Sequence, residues 1–333
     1  MPSLERVRFV RRDRALVARL NRQQPHLLPA QMDPPLDIGP GPNCWIAQTF
    51  IHLRQRGFPV RLATMLSPRD LNVVHYDDLP SWKQLPFWPF LAVVQADRPP
   101  PVLADVRLVQ NRLGIEHAER DRFVVLWPQP GLRPRDPARG ALVSTLGYFG
   151  VQNYLAPPYR DERMRAALSA MGVALEPRFR PDEWVDYRAV DAVLAVRQVS
   201  ELVLSIKPAT KMINAWRAGC IPIMGVESAC RQIGRPGVDY LEVTSPAEVV
   251  AAVRRLRDDP AAAERLRAEG RRAAAAHDDD ALVQQWVTIL EETALPAFER
   301  WKREGTLHHL RAFPARMLAH RRAVASFLRR VTS

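Results

Sequence analysis

Short apolar runs alternate with stretches of helical spacing along the first part of the chain. Apolar residues recur at helical intervals from Trp45 to Leu53, and Gly57 ends that pattern, so a helix is predicted there. Brief apolar runs between turn residues predict strands at 60–64, 71–76, 90–94, 106–109 and 123–126. Short buried strands separated by helices or loops are typical of a parallel sheet.

A proline- and arginine-rich stretch at 128–139 interrupts this pattern and has the composition of a linker. The alternation then restarts, with strands predicted at 141–146, 192–196, 221–224 and 240–243 and helices at 162–171 and from Pro208. Ser245 and Glu248 form a capping-box pattern before a long Ala/Arg/Leu-rich helical stretch. The pattern predicts an α/β protein with domains 1–135 and 136–298, followed by a basic helical tail, 299–333.

Length and composition agree with a globular, two-domain chain. The chain has 333 residues, of which 47% are hydrophobic and 25% charged, a balance that excludes a largely disordered protein. No run approaches the roughly 18 apolar residues of a membrane-spanning helix, and the N-terminal segment lacks the apolar run of a secretory signal. Three scattered cysteines do not make a disulfide framework or a closed zinc site. A cytoplasmic location is therefore expected.

Positive charge is concentrated at the two ends of the chain. The net charge is +12, which favours anionic partners, and residues 300–330 hold nine basic side chains but one acidic one, Glu304. This tail has the pattern of a basic amphipathic helix, which either lies on an anionic membrane surface or docks on the first domain. No pattern of a nucleic-acid-binding module occurs, so nucleic acid is not an expected partner.

The most informative stretch runs from 206 to 228 and contains Lys207 and Lys211, two of the four lysines in the chain. Pro208 suits the first turn of a helix and Gly219 its end, so a short helix is predicted to lead into a buried strand. Lys207 and Lys211 are one turn apart, so they are expected to share a face at the helix N-terminus, where their ammonium groups and the free backbone N–H groups suit a diphosphate. The alternative is an ordinary solvated helix face.

The sequence of this stretch resembles a known family of enzymes. Lys211, Asn214, Gly219 and Pro222 match the fucosyltransferase pattern T-E-K-L-x-N-A-x-x-A-G-x-x-P, and Thr210 directly precedes Lys211, so the Glu that separates Thr from Lys in the pattern is absent. That resemblance implies a GT-B glycosyltransferase, in which two Rossmann-like, doubly wound domains face a cleft and the Lys binds the diphosphate of the donor.

The same stretch is also similar to retaining transferases of the sucrose and mannosyl type. Those enzymes carry a Glu-x7-Glu pair at the positions of Ile206 and Asn214, and both glutamates are absent here. Because each resemblance lacks a motif residue, retention and inversion of the sugar both stay open.

Other donor-binding candidates surround this helix. Arg197 follows a predicted strand, at the edge where open α/β sheets bind ligands, and is a second candidate for the phosphates or a surface ion pair. Glu227 is a candidate acceptor for a ribose diol, and Ser228 either donates to phosphate or caps a short helix. Thr210 belongs to the donor-binding motif. Asn214 contacts either the donor or the protein interior.

In the first domain, candidate chemistry lies at two loops. The Gly/Pro loop that contains Gly41 and Asn43 precedes a helix and is a candidate contact for donor phosphate or acceptor. His75, Asp77 and Asp78 end a predicted strand, so one of them is a candidate base for the acceptor hydroxyl, unless an aspartate caps a helix instead. Four aromatic residues follow, and they form either an acceptor platform or a folded hydrophobic loop; they are Trp82, Phe87, Trp88 and Phe90.

Together these features predict a glycosyltransferase that uses a nucleoside diphosphate sugar, with a glycan or a lipid-linked molecule as acceptor. No Asp-x-Asp cluster for a divalent ion occurs at the predicted site, so neither a metal nor another cofactor is expected there. The alternative is a non-catalytic protein of the same fold that binds a glycan or a partner protein, which the two absent glutamates favour.

Overall fold

The computed structural model describes residues 4–23, 27–28, 31–32, 41–81 and 83–332. Of Thr332 it describes the backbone alone. Residues 1–127 and 279–333 form one compact unit, the first unit, and residues 128–278 form the second unit. The predicted boundaries differ from this division, because the chain returns to the first unit at 279 rather than beginning a separate tail at 299. Two contacts within the first unit fix the return: Arg56 binds Asp280 at 2.6 Å, and the rings of Phe90 and Phe298 lie 5.4 Å apart.

Eleven strands and ten α-helices are numbered in chain order among the described residues. The strands are β1 (Val7–Val10), β2 (Arg61–Ala63), β3 (Leu71–His75), β4 (Phe90–Val94), β5 (Val106–Val109), β6 (Asp121–Phe123), β7 (Thr145–Phe149), β8 (Ala174–Arg178), β9 (Ala192–Ala195), β10 (Ile221–Met224) and β11 (Leu241–Glu242). The helices are α1 (Arg14–Arg22), α2 (Gln48–Gln55), α3 (Glu162–Ser169), α4 (Glu201–Leu204), α5 (Thr210–Arg217), α6 (Ser228–Ile233), α7 (Pro246–Asp258), α8 (Pro260–Ala275), α9 (Asp279–Ile289) and α10 (Leu295–Thr332). A π-helical turn, Asn43–Ala47, leads into α2, and another, Leu290–Ala294, joins α9 to α10.

The first unit contains a six-stranded sheet in the order β2-β1-β3-β4-β5-β6, and every strand pair in it is parallel. The sequence pattern did not predict β1, a central strand, because arginines surround its few apolar residues. Arg8 is neutralised within the fold, since its side chain binds Asp70 at 2.8 Å. The last strand lies at 121–123, slightly before its predicted position.

The second unit contains a five-stranded parallel sheet in the order β11-β10-β9-β7-β8. Its core is formed by apolar residues of the central strands, such as Leu146, Leu194 and Ile223, packed against the helices. Strand β7 lies at 145–149, several residues after the predicted 141–146. The predicted α/β class, with two parallel sheets and a long C-terminal helix, is confirmed, and an arrangement of the two halves around a cleft stays a prediction.

The C-terminal helix α10 packs on the first sheet. Arg316 binds Asp105 at 2.9 Å, and Phe313 lies 6.3 Å from Phe87. Docking of the tail on the first domain, one of the two alternatives, is therefore observed, and contact with a membrane stays a prediction. None of the helices that the structure describes has both the length and the apolar character needed to cross a bilayer.

Candidate functional site

Three neighbouring strands of the second unit end at one edge of its sheet. Gly150 follows β7, Arg197 lies two residues after β9, and Glu227 lies three residues after β10. Because β10, β9 and β7 are adjacent and parallel, their carboxyl ends meet at the edge where ligands of open α/β sheets bind. We call Arg197, Lys211, Glu227 and Lys207, the charged residues at this edge, the donor-side cluster.

Arg197 and Glu227 form an ion pair within this cluster. Arg197 Nη1 donates to Glu227 Oε2, and the Glu227 residue is only 3% exposed. Burial raises the pKa of Glu227, and the positive charges of Arg197 and Lys211 oppose that shift. Glu227 Oε1 is buried without a hydrogen-bond partner. A buried carboxylate oxygen without a donor is costly, so this oxygen is ready to accept a hydrogen bond from a ligand.

Lys211 lies in the first turn of α5, which follows β9 and leads into β10. Its Nζ is 4.2 Å from the centroid of the Tyr148 ring. Burial, and then the charges of Arg197 and Lys207, hold the pKa of Lys211 well below its usual range, whereas Glu227 raises it. A bound anion next to Lys211 would stabilise the charged form of its side chain, which burial and the neighbouring cations destabilise.

The N-terminus of α5 contributes backbone donors as well as Lys211. Its N-cap residue, Ala209, makes no side-chain cap, so no cap side chain occupies the first N–H groups, although the N–H of Met212 donates to the Ala209 carbonyl at 3.0 Å. Thr210 Oγ1 is buried there without a hydrogen-bond partner. The hydroxyl and the helix N-terminus together suit a phosphate oxygen.

The two lysines do not share a helix face. Lys207 lies before α5, in the turn after α4, where its backbone N–H donates to the carbonyl of Leu204 at 3.2 Å. Its Nζ is 5.3 Å from the centroid of the Tyr154 ring. The prediction of a shared face was wrong because α5 begins at Thr210 rather than near Pro208. Lys207 nevertheless lies close enough for its charge to lower the pKa of Lys211.

Gly150 is part of this site and was not predicted. Its φ angle is +148°, and a Cβ there would lie 2.9 Å from Lys211 Nζ and 3.1 Å from the hydroxyl of Tyr148. Only glycine combines that backbone conformation with so close an approach of the ammonium. The sequence pattern did not indicate it because the predicted strand ended at 146, four residues before Gly150, whereas β7 ends at Phe149.

The two remaining donor-side candidates, Asn214 and Ser228, lie on α5 and α6. The amide oxygen of Asn214 is buried and accepts the backbone N–H of Gln129 at 3.1 Å, an interior contact. Ser228 is the first residue of α6, and Glu227, not Ser228, holds the N-cap position. Binding of a donor by either residue stays a prediction.

A second polar cluster lies at the end of β3 in the first unit. His75 is 1% exposed, and its Nδ1 accepts the backbone N–H of Asp77 at 3.1 Å. The neutral ring therefore carries its proton on Nε2, an atom that is buried without a hydrogen-bond partner and lies 3.4 Å from where a Cβ of Gly41 would be. Burial, with smaller contributions from nearby arginines, lowers the pKa of His75 to about 4 despite Asp77, so the ring is neutral at neutral pH.

Both aspartates of this cluster are held by arginines. Arg98 binds both oxygens of Asp77 at 2.6 and 2.8 Å, and this contact lowers the pKa of that carboxyl. Arg11 binds Asp78 at 2.9 Å and Asn43 Oδ1 at 2.8 Å, joining the ends of β1 and β3 to the turn before α2. Burial raises the pKa of Asp78, with Arg11 opposing that shift. The predicted residues thus lie together, and their roles in catalysis stay predictions.

Part of each predicted loop falls outside the described residues. This applies to Gly39 and Pro40 of the Gly/Pro loop and to Trp82 of the aromatic segment. Of the other aromatic residues, Phe90 is buried in β4, whereas Trp88 is 45% exposed with its ring 5.2 Å from that of Phe87.

Comparisons with known proteins were made on the sequence and on the fold. No family model matches the chain, and no curated protein matches its sequence. Among solved structures, AviGT4, a glycosyltransferase involved in avilamycin A biosynthesis, has 16% identity and a TM-score of 0.48, covering 86% of this chain and 98% of its own. HepE from Anabaena in complex with UDP has 12% identity and a TM-score of 0.47, with coverages of 86% and 99%.

Sucrose-phosphate synthase from Thermosynechococcus elongatus has 14% identity and a TM-score of 0.43, with coverages of 73% and 71%. Because these three TM-scores lie below 0.5, none of the likenesses identifies this chain. The residues of the two clusters carry the functional interpretation.

Proposed function

We propose that the protein transfers a sugar from a nucleoside diphosphate sugar to the hydroxyl of an acceptor. The observation that supports this most is the donor-side cluster, in which the Lys211 ammonium meets Arg197 and a helix N-terminus at the carboxyl edge of a parallel sheet. The resemblance of residues 210–222 to the lysine-containing motif of fucosyltransferases supports the same assignment.

The charges of the cluster suit a diphosphate. Three cationic side chains, Arg197, Lys207 and Lys211, surround one carboxylate, so the cluster carries excess positive charge in a largely buried environment. During transfer the bond between the anomeric carbon and the diphosphate oxygen breaks, and its electron pair leaves with the nucleoside diphosphate. Fixed cations and N–H donors at that position stabilise the developing charge without a metal ion at this site.

Glu227 is assigned to the nucleoside. Its Oε1 atom is buried without a hydrogen-bond partner, and a ribose diol has the donors that this oxygen needs. Glu227 Oε2 accepts the hydrogen bond from Arg197, so in this assignment Oε2 binds the arginine and Oε1 binds the ribose.

The acceptor is assigned to the cluster at the end of β3. Asp77 is the most accessible of its acidic groups, with 34% of its side chain exposed, so it is the candidate to take the proton of the attacking hydroxyl. His75, neutral and with its proton on Nε2, is suited to donate a hydrogen bond to the acceptor or the sugar.

Release of nucleoside diphosphate from a panel of nucleotide sugars, with and without candidate glycan and lipid-linked acceptors, tests the proposal. At least one donor is expected to release nucleoside diphosphate with the wild-type protein. The Lys211→Met variant is expected to release none. Lys302→Met is the matched control, because Lys302 is a half-exposed lysine paired with Glu299. Absence of turnover with every donor and acceptor contradicts the enzyme assignment.

Asp77→Asn tests the acceptor side separately. We expect a loss of about 10²- to 10⁴-fold in turnover, as is usual for a general base, with unchanged affinity for the nucleotide. Asp78→Asn is the comparison, since Asp78 is buried against Arg11. Equal turnover of Asp77→Asn and the wild-type protein removes Asp77 from the mechanism.

A second candidate function is binding without catalysis. Its support is the absence of a carboxylate at Ile206 and Asn214, where the retaining transferases carry two glutamates. Nucleotide-sugar binding that depends on Lys211, without turnover of any donor, is the result expected of such a protein.

An anionic membrane surface is a proposed partner of α10. This helix exposes Leu310, Leu318 and Leu328 between its many arginines, a composition suited to the headgroup region of a bilayer. Sedimentation with vesicles that contain anionic phospholipid is expected for the wild-type protein and reduced for Leu318→Glu. Equal sedimentation with neutral vesicles contradicts the proposal.

A further inference from the structure

A break in the C-terminal helix brings three metal-ligating side chains together. Gly305 has a φ angle of +78° inside α10, so the residues on either side do not follow one continuous helix. Glu304 precedes the break, and His308 and His309 follow it. One carboxylate oxygen and one nitrogen of each imidazole lie within 4.8 Å of one another.

The distances of this cluster are close to those that one metal ion requires. Glu304 Oε2 is 3.9 Å from Nε2 of His308 and 3.9 Å from Nδ1 of His309. Two ligand atoms that bind one tetrahedral zinc ion at about 2.0–2.2 Å lie about 3.3–3.6 Å apart. The two carboxylate–imidazole distances exceed that separation by about 0.5 Å, so small rotations of the side chains bring the three atoms onto one ion. His308 is 59% exposed in its side chain, so its imidazole is free to turn the remaining short distance.

His309 is held in the orientation that a metal ligand needs. It is 5% exposed, and its ring stacks on that of Trp301 with 4.4 Å between the centroids. Nε2 lies 2.8 Å from the backbone carbonyl of Trp301 and donates to it, which leaves the lone pair of the neutral ring on Nδ1, the atom that faces Glu304. A hydrogen bond from the second ring nitrogen to a carbonyl is the usual support of a metal-bound histidine.

Glu304 lies in a basic segment but forms its ion-pair contacts with histidines. Glu304 is the only acidic residue from 300 to 333, where nine Lys and Arg side chains are available to pair with it. The ion-pair contacts that the described residues give Glu304 are nevertheless with the two histidines. This pairing is what a site for a cation that binds oxygen and nitrogen requires.

We propose that Glu304, His308 and His309 bind one divalent transition-metal ion of the zinc type, with water in the open position. Two imidazoles and one carboxylate are a common ligand set for zinc, and hard cations such as Mg²⁺ disfavour imidazole. The site shares no residue with the donor-side cluster or with the cluster at the end of β3. Bound metal joins the two segments of α10 across the break at Gly305.

Zinc titration of the tag-free, chelator-treated protein, in competition with a chromophoric chelator, tests the site. One equivalent of Zn²⁺ is expected to bind to the wild-type protein, and His308→Ala is expected to weaken that binding at least about tenfold, as is typical when support of a metal is lost. Co²⁺ is expected to give visible absorption bands that Glu304→Gln diminishes. Both replaced side chains are half-exposed or more, and circular dichroism checks that each variant folds.

His117→Ala is the matched control, because His117 is also exposed and lies 3.8 Å from a glutamate, Glu119. This variant is expected to bind Zn²⁺ as the wild-type protein does. The proposal is overturned if the wild-type protein binds no zinc, or if His308→Ala, Glu304→Gln and His117→Ala all bind it equally well.

Discussion

Replacement of Gly150 by alanine perturbs the donor-side cluster without changing any charge. The φ angle of +148° lies in a region that is essentially restricted to glycine, so an alanine there costs about 1–3 kcal/mol of folding free energy. The new Cβ would also lie 2.9 Å from Lys211 Nζ, against an ordinary contact of 3.4–4 Å, so the ammonium has to move by several tenths of an ångström. Such a shift displaces the cation from the position proposed for the diphosphate.

Denaturant unfolding and calorimetric titration with inorganic pyrophosphate measure these two effects. We expect Gly150→Ala to lower the free energy of unfolding by about 1–3 kcal/mol. Its affinity for pyrophosphate is expected to fall at least about tenfold, which corresponds to about 1.4 kcal/mol. Pyrophosphate is the probe because its binding does not depend on the base or the sugar.

Gly172→Ala separates the loss of stability from the effect on the site. Gly172 also has a positive φ angle, +67°, but a Cβ there meets nothing within 4 Å. This variant is expected to lose about 1–2 kcal/mol of stability and to bind pyrophosphate normally. Wild-type affinity in Gly150→Ala, or equal loss of affinity in both variants, would refute the proposed position of the ammonium.

Two further predictions concern the charges of the cluster. Glu227→Gln is expected to weaken the binding of nucleoside diphosphate and to strengthen the binding of pyrophosphate. The reason is that the carboxylate binds the ribose but repels the phosphates. Affinities that change in the same direction for both ligands contradict the assignment of Glu227 to the ribose. The pKa of Lys211 is lowered in the free protein and rises when an anion binds, so binding takes up a proton. After correction for the ionisation of pyrophosphate itself, its affinity should therefore fall as the pH rises through that lowered pKa. Calorimetry in buffers of different ionisation enthalpy should detect the uptake by the protein, and binding without such uptake contradicts a depressed pKa of Lys211.

Local patterns in the sequence were sufficient to predict most elements and the main cation. The strands at 90–94, 106–109 and 221–224 lie where their apolar runs predicted, because strands buried on both faces need continuous apolar residues. Lys211 was singled out by its position after Pro208 and by its motif. The parallel sheets place Arg197 and Glu227 near it, as expected of residues that follow neighbouring strands.

Features that depend on tertiary contacts were not predictable in the same way. Strand β1 was not predicted because Arg8 and Arg11 interrupt its apolar pattern. These arginines are tolerated there because they pair with Asp70 and Asp78. The role of Gly150 depends on the position of a lysine about 60 residues later in the chain. The contacts of the first unit with the C-terminal helices likewise join residues far apart in sequence.

The affinity of Lys211→Met for pyrophosphate tests the central claim most directly. Removal of one partner from a buried charge contact typically costs at least about 2 kcal/mol, so the account predicts a loss of about 30-fold or more, with Lys302→Met unchanged. Lys211→Met also removes a buried cation that lies beside Arg197, so the variant is expected to remain folded in the absence of ligand. Pyrophosphate binding of wild-type strength in a folded Lys211→Met protein would contradict the account.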